Sequence, residues 1–329
     1  MPSGALTAEP TRNDGPLISS LKSVAVQDWL VLAYFLGLNL ALALSPAGPV
    51  RDHCWVRVAG LLFLCIFALI TVRGRLLPGS FVPAVVYRIG AQGTVQFSYF
   101  FFREFLPQVN PRSVDAQLHT AGLHLFGAEP SLTLDAFVNP TTTEWFSYFY
   151  FAYFFVLATH VLPILFLVKD QRLLGEFAFG MLLVFCIGHT SYMLVPGYGP
   201  LRAVANEFHH QLPNGLWLNV VMDTVAEGGA LKDIFPSLHT AAPTFILLYS
   251  FRHRALPPFR YTWWIVGFFV VNIIVATMFL RWHWIVDVVA GLALAVTAQK
   301  LAVFVTRFEL DRRARALLDP WWSPFRAAR

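Results

Sequence analysis

The chain contains little charge: Asp, Glu, Lys and Arg make up 13% of its 329 residues, against about 25% in an ordinary soluble domain. Its only cysteines are Cys54, Cys65 and Cys186, which lie in or beside apolar stretches without metal-site spacing. The scarcity of charge argues against a water-soluble globular protein, and three scattered cysteines argue against a disulfide framework. No internal repeat or second soluble domain is apparent.

Hydrophobic residues make up 57% of the chain and cluster in runs near the ~20 residues that a bilayer core requires. We predict an all-α, polytopic membrane helix bundle of about eight spans, with six or seven as the alternative count. The run at 240–250 is short, and the run at 84–102 contains Arg88, Gln92 and Gln96. The predicted spans are 29–44, 55–72, 84–102, 145–168, 177–195, 240–250, 261–280 and 284–305.

Two histidines and a carboxylate stand at the ends of apolar stretches. His239 follows Phe235-Pro-Ser-Leu, and Asp287 follows His283 by four residues. On a helix this spacing puts both side chains on one face, so the carboxylate can hold one ring nitrogen while the other faces outward as a nucleophile or base. His239 lies near a helix start, where backbone N–H groups attract anions. An attacking histidine, a proton-donating histidine and an anion-binding helix start indicate phosphoryl transfer.

These segments resemble signature motifs of the type-2 phosphatidic acid phosphatase superfamily. Phe235-Pro-Ser-Leu-His-Thr-Ala resembles the second motif, and the stretch from Ala276 to Gly291 resembles the third. Leu194-Val-Pro-Gly-Tyr-Gly-Pro-Leu-Arg is similar to the first motif of the branch that contains the fungal inositol phosphorylceramide synthases. The resemblance covers 145–295 and implies a six-helix phosphatase-like core with two additional N-terminal spans.

Two departures favour the transferase-like branch over the simple phosphatases. Thr277 stands where the phosphatases carry an arginine, six residues before the third-motif histidine, and their first-motif lysine and Arg-Pro pair are absent. Phosphate is therefore expected to bind to the nearest other cations. The predicted substrate-binding residues are Arg202, Arg281, Lys232, Ser237 and Pro200.

The resemblance implies that His239, His283 and Asp287 are catalytic. His283 would attack phosphorus to form a phosphohistidine, Asp287 would fix its tautomer, and His239 would protonate the leaving alkoxide and then deprotonate the incoming hydroxyl. Arginines would carry the phosphate charge, and neither a metal nor a cofactor would be required.

The expected function is that of a membrane-embedded lipid phosphotransferase. It would transfer a phosphoinositol-type headgroup from a phospholipid donor to a lipid or polyol alcohol, a reaction of sphingolipid metabolism. A lipid phosphate phosphatase acting on phosphatidic acid or polyprenyl phosphate is the alternative. A non-enzymatic transporter is the remote one.

Lysine and arginine placement predicts the orientation. The short connections around Lys169 and around Arg252 to Arg260 are basic, as is the tail from Arg307, and basic short loops stay cytoplasmic. Both termini are then cytoplasmic, and the motif-bearing loops face the cell exterior, periplasm or a lumen. Topology and anionic lipid explain the net charge of +5, so no nucleic-acid partner is expected.

We divide the chain into a disordered cytoplasmic tail (1–26), N-terminal spans with a polar extracytoplasmic loop (27–143), a catalytic helix core (144–306) and a basic cytoplasmic tail (307–329). Thr141-x-x-Glu144 has capping-box spacing and predicts a helix start.

The remaining histidines and acids are given structural interpretations. We expect helix-bridging or loop positions for the histidines, and surface positions for the acids, although one acid could hold a polyol hydroxyl or a catalytic arginine. The histidines are His160, His189, His209, His210 and His253, and the acids are Asp223, Glu227 and Asp233.

Overall fold

The computed structural model describes residues 16–77 and 81–325, which contain helices and no strand. The prediction of an all-α membrane bundle is therefore confirmed. Of the tail predicted over 1–26, residues 1–15 lie outside the described residues, and Pro16–Ser23 forms a helix.

The helices are numbered here in chain order. They are α1 (Pro16–Ser23), α2 (Val26–Leu44), α3 (Pro49–Arg73), α4 (Phe81–Arg88), α5 (Thr94–Ser98), α6 (Phe102–Val109), α7 (Asp115–Phe126), α8 (Pro130–Leu134), α9 (Pro140–Leu167), α10 (Gln171–Leu194), α11 (Pro200–Ala203), α12 (Leu216–Gly228), α13 (Leu238–Arg252), α14 (Phe259–Phe279) and α15 (Ile285–Arg315). A π-helical turn lies at Ile89–Gly93, and 3₁₀ turns lie at Tyr99–Phe101, Asp135–Phe137 and Ala205–Glu207.

Six helices in the described ranges are long and apolar enough to cross a membrane: α2, α3, α9, α10, α14 and α15. They correspond to six of the eight predicted spans, and the protein is a multi-pass membrane protein. The other two predicted spans are less regular. The 84–102 segment falls in the run of short helical pieces from α4 to α6, and α13 has 15 residues.

Helix α10 is the central helix of the bundle. In its most apolar window 83% of the residues are buried, against 28–39% in the other five spans. It packs against α2, α13 and α15, and its aromatic side chains Phe177 and Phe185 are buried. The five other spans each turn a face outward, as expected of helices in contact with lipid.

The start of α9 differs from the prediction. The helix begins at Pro140, because the Asn139 side chain accepts the N–H groups of Thr141 and Thr142 at 3.0 and 3.1 Å. Glu144 does not cap its own helix. Its carboxylate accepts the N–H groups of Trp217 and Leu218 at the start of α12, so the predicted capping box is wrong and Glu144 links α9 to α12.

The two ends of the bundle are distinguished by the direction of α13 and α15. We call the end where both helices begin the histidine end, because His239 and His283 lie there, and the end where both finish the ion-pair end. At the ion-pair end Trp321 and Trp322 are fully buried, and Trp322 exchanges hydrogen bonds with Gln171. The described part of the predicted basic tail therefore packs into the bundle.

The buried carboxylates at the ion-pair end are paired with basic side chains, whereas the buried Arg88 donates to backbone carbonyls. His253, expected in a basic loop, lies in the turn after α13 and is buried, and its Nε2 lies 2.9 Å from a Glu176 carboxylate oxygen. The three clusters are Asp28 with Arg73 and Tyr87, Glu309 with Arg312 and Arg313, and Glu176 with Arg172, Arg252 and His253.

Candidate active site

His283 lies two residues before α15, in the turn that follows α14. Its Nδ1 is 3.0 Å from the carbonyl oxygen of Ile234 and 3.5 Å from Oδ2 of Asp287. Because both neighbours are acceptors, Nδ1 carries the ring proton and Nε2 keeps its lone pair. Asp287 is fully buried, and its Oδ2 also accepts the N–H of Trp284 at 2.9 Å. The structure thus brings the predicted His283 and Asp287 together.

His239 lies in the first turn of α13, which is capped by Ser237. The His239 ring stacks on Tyr150 and lies tilted against Tyr153, with centroids 4.3 and 4.2 Å away, and its centroid is 6.3 Å from that of His283. Its Nε2 is buried without a hydrogen-bond partner. The two rings are close enough for both to contact one phosphoryl group.

Both histidines line one cavity of about 340 Å³. Part of its lining is apolar and includes Phe151, Phe154 and Leu157 of α9, a helix with an outward face. Hydroxyl, amide and charged side chains also line it. They are Gln96, Tyr99, Tyr150, Tyr153, His189, Tyr192, Tyr198, Arg202, Thr224 and Asp233. The cavity combines a surface for hydrocarbon with a surface for a polar group.

Arg202 is the predicted cation that lines this cavity. It is exposed, its guanidinium lies 5.5 Å from the Tyr198 ring centroid, and no carboxylate within 16–77 or 81–325 pairs with it. Its charge is therefore available to an anion in the cavity.

Arg281 is held elsewhere. Its Nη2 donates to Asp135 at 2.7 Å and to the His210 carbonyl at 2.5 Å, and it does not line the cavity. Burial lowers the pKa of Arg281, while Asp135 offsets part of that shift. Burial alone would raise the pKa of Asp135. Hydrogen bonds from His209 and His210 and the Arg281 charge outweigh that effect and lower the Asp135 pKa.

The other predicted substrate-binding residues lie behind the cavity wall. Lys232 is buried and donates to the carbonyls of Asn110 and Arg112 at 3.1 and 2.7 Å, and burial lowers its pKa. Ser237 is buried as the N-cap of α13, and its N–H donates to the Asp287 carbonyl at 3.0 Å. Pro200 is buried at the first position of α11.

Asp115 is a positioning residue that no sequence motif singles out. Its carboxylate accepts the N–H groups of Tyr198 and Gly199 at 2.8 and 2.9 Å and the indole N–H of Trp284 at 3.0 Å. Gly199 has φ +79, and a Cβ there would lie 2.2 Å from the Trp282 carbonyl. Asp115 and this close approach fix the loop before Arg202 against the turn that carries the nucleophile candidate.

Thr277, at the position where an arginine was expected in a phosphatase, lies within α14. It is buried and its hydroxyl donates to the Ile274 carbonyl at 2.7 Å. Its carbonyl accepts the N–H groups of Trp282 and His283. Thr277 therefore supports the turn and does not line the cavity.

The remaining histidines fall into different surroundings. His189 is buried, lies 3.2 Å from the Tyr34 hydroxyl and lines the cavity. His160 bonds within α9 and faces a separate apolar groove of about 610 Å³ between α9 and α14. His209 and His210 surround Asp135.

A family model described as the PAP2 superfamily matches residues 121–301, more than half of the chain. The match begins within α7 and ends within α15, so it includes all three motif-bearing segments. No curated protein and no solved structure matches the chain.

Proposed function

The chain belongs to the PAP2 superfamily, whose enzymes carry out phosphatase and phosphotransferase chemistry on lipid phosphates, and from this premise we propose that it transfers a phosphoinositol-type headgroup from a phospholipid to an alcohol. The observation that carries the proposal is the set of polar side chains that line the same cavity as His239 and His283. Phosphatidic acid ends at its phosphate and has no further group to hydrogen-bond with these side chains. A phosphodiester with a hydroxylated headgroup has such a group.

In the first step, the Nε2 lone pair of His283 attacks phosphorus. A P–N bond forms and the P–O bond to the leaving alkoxide breaks, while His239 gives that alkoxide a proton. The resulting phosphohistidine ring is positively charged. Asp287 lies 3.5 Å from its Nδ1, and this carboxylate stabilises the charge and holds the ring orientation.

In the second step, an alcohol enters and His239 removes its proton. The alcohol oxygen attacks phosphorus, the P–N bond breaks, and the electron pair returns to His283 Nε2. The sequence of acid and base roles restores both histidines to their starting protonation states. The acceptor oxygen replaces the leaving oxygen, so one phosphodiester is exchanged for another.

The transferring phosphoryl group needs positive surroundings. Arg202 supplies a guanidinium at the cavity wall, and the first turn of α13 presents backbone N–H groups next to His239. Guanidinium groups and helix N-termini both stabilise phosphate oxygens. We infer that these groups take the role that metal ions fill in other phosphoryl transferases. The rate should then stay within about twofold on chelation with EDTA, whereas loss of a metal would remove several kcal/mol of stabilisation.

The proposed reaction is tested by incubating purified protein with labelled phosphatidylinositol, phosphatidic acid and polyprenyl phosphate, with and without long-chain alcohol acceptors. Mass spectrometry should show a new phosphoinositol diester formed in preference to free phosphate or inositol phosphate. Hydrolysis that dominates with every acceptor would replace the transferase by a lipid phosphate phosphatase.

We also propose that the histidine end faces the cell exterior, periplasm or a lumen and that both termini are cytoplasmic. The support is the collection of basic short loops at the ion-pair end, including Lys169 and Arg254. The three native cysteines are buried, so labels report introduced sites. Asn214→Cys, exposed near the histidine end, should react with an impermeant maleimide on intact cells or from the lumen. Ala255→Cys, exposed between α13 and α14, should react only after permeabilisation. The reverse pattern would invert the topology.

A further inference from the structure

Asp233 is a carboxylate in the cavity wall without a cationic partner. It is half-buried, lines the cavity, and accepts a hydrogen bond from the Tyr99 hydroxyl at 2.7 Å through Oδ2. No lysine, arginine or histidine of the described residues forms an ion pair with it. It directly precedes Ile234, whose carbonyl holds His283. A negative group thus lies one residue from the element that orients the nucleophile.

This carboxylate is unsuited to the phosphate itself. An ionised carboxylate only accepts hydrogen bonds, and a phosphate diester offers no donor, so the two repel each other at short range. Asp233 therefore favours a ligand group that donates hydrogen bonds. The two groups that lipid headgroups provide for this purpose are hydroxyls and ammonium ions.

The tyrosines around Asp233 distinguish these two possibilities. A quaternary ammonium is bound by open aromatic faces. Here Tyr150 and Tyr153 each place a ring face on His239, and Tyr99 stacks on His189 with centroids 6.0 Å apart. Each of these three rings has one face against a histidine, and each also contributes a hydroxyl group to the side chains that line the cavity with Asp233. Hydroxyl groups and a carboxylate form a surface for a polyol.

We propose that Asp233, held in place by Tyr99, is the specificity residue of the cavity and binds the hydroxyl groups of a polyol. The inference rests on the proposed function, since it names the headgroup side of the same site. Tyr99 occupies one position on Oδ2, which leaves Oδ1 and the remaining lone pair to accept two neighbouring hydroxyls. The polyol could be the headgroup of the phospholipid donor or a free acceptor.

The test separates binding from turnover by using His283→Gln protein, full length in detergent, as the background. The probes are dihexanoyl phosphatidylinositol, dihexanoyl phosphatidic acid, dihexanoyl phosphatidylcholine and free myo-inositol, with affinity measured by thermophoresis. We expect phosphatidylinositol to bind at least tenfold more tightly than phosphatidic acid, because hydrogen bonds to a charged acceptor are the strong ones. Asp233→Asn should abolish this preference for phosphatidylinositol. The control is Asp223→Asn, which changes an exposed acid on α12 and should leave the preference unchanged.

Tyr99→Phe provides a second variant in case Asp233→Asn fails to fold. It removes the hydroxyl that orients the carboxylate and should reduce the same ratio about threefold. A merely structural loss would weaken both lipids equally and leave the ratio unchanged. Binding of free myo-inositol would assign the polyol to an acceptor as well as a donor, whereas binding of phosphatidylinositol alone would assign it to the donor.

Equal affinity for phosphatidylinositol and phosphatidic acid, or a ratio that survives Asp233→Asn, would overturn the inference. A preference for phosphatidylcholine lost in Asp233→Asn would make the pocket a cation site and would also overturn it. The proposed reaction fails separately: wild-type protein that forms no diester but shows the Asp233-dependent ratio retains the polyol site and loses only the transfer reaction.

Discussion

The two ends of the bundle treat buried charge differently. At the ion-pair end, the carboxylates of Asp28, Glu176 and Glu309 all lie within 3.1 Å of an arginine nitrogen. At the histidine end, ionisable side chains in the described ranges keep buried atoms without a hydrogen-bond partner. These atoms are His119 Nε2, Glu129 Oε2, His239 Nε2, Arg281 Nε and Asp287 Oδ1.

Paired charges hold helices together at both ends, as the buried Arg281–Asp135 pair shows for the histidine end, but among the described residues only the histidine end adds buried ionisable atoms without partners. Unsatisfied buried polar atoms are uncommon in folded proteins, and each calls for a physical reason. Of these five residues, His239 is the one that lines the cavity, and for its Nε2 we expect that reason to be a ligand that offers a hydrogen-bonding group. Burial also raises the pKa of Glu129, which lies in the loop before α8, and the hydrogen bonds from Ser131 only partly offset this.

Removing His283 breaks the histidine end and leaves the ion-pair end intact. His283→Gln should lower turnover by more than about 10⁴-fold, because loss of a nucleophile removes the covalent route. Thermal stability in detergent should stay near wild type, since the ring lines a cavity. Product formation and unfolding are measured on the same preparation. Substantial residual turnover would show that another group attacks phosphorus.

Changing His239 sharpens the assignment of roles within the histidine end. His239→Ala should slow release of a lipid alkoxide by about 10²–10⁴-fold, the usual contribution of general acid catalysis. Release of p-nitrophenolate should slow by less than about tenfold, because a good leaving group hardly needs a proton. Steady-state rates on the two substrates give the comparison. An equal loss on both would mean that His239 binds substrate without transferring a proton.

Removing Arg73 breaks the opposite end. Arg73 is 5% exposed and Asp28 is fully buried, so Arg73→Met leaves an uncompensated carboxylate and should cost about 3–5 kcal/mol of stability. The rate per folded molecule should be unchanged. Arg75→Met is the matched control, because its ion pair with Asp319 is largely exposed and exposed pairs contribute little. Similar thermal midpoints for the two variants would contradict the distinction between the ends.

Comparing two arginines tests the boundary of the catalytic region, and we expect the smallest effect there. Arg202→Met should lower kcat/KM about 10–100-fold, because it removes a charge-assisted contact to phosphate. Arg281→Met should mainly lower the thermal midpoint, since its partner Asp135 is then left buried. Steady-state kinetics and thermal melting curves of both variants distinguish the loss of activity from the loss of stability. The opposite assignment would place Arg281 at the substrate.

The sequence predicts the helices and the three central side chains because both depend on local patterns. Apolar runs give the six long spans. His283 and Asp287 do come together as the four-residue spacing predicts, but the predicted helical face is wrong, because His283 lies in the turn before α15 and Asp287 in its first turn. The cations could not be assigned in this way. Whether Arg281 faces substrate or Asp135 depends on residues 146 positions apart, and no local pattern encodes that pairing.

Long-range contacts also explain the other differences. Glu144 has capping-box spacing within α9, yet it caps α12, which starts more than 70 positions later. Asp115 lies in a polar stretch without a motif, and its role emerges only when Tyr198 and Trp284 come beside it. His189 reads as a helix-bridging residue, and it does reach Tyr34 on α2 while also lining the cavity.

Hydrogen bonds at the ion-pair end connect early and late segments of the chain, and this affects when the bundle can form during synthesis. Arg312 donates to the Val24 carbonyl at 2.8 Å, Arg313 to the Ser23 carbonyl at 2.6 Å, and Arg73 to the Trp321 carbonyl at 3.3 Å. The early partners precede the late ones by 248 to 290 residues along the chain. The first two spans therefore enter the membrane before these partners exist, and the bundle closes only when residues 312–322 have been synthesised and pack against Arg73 of α3 and Gln171 of α10.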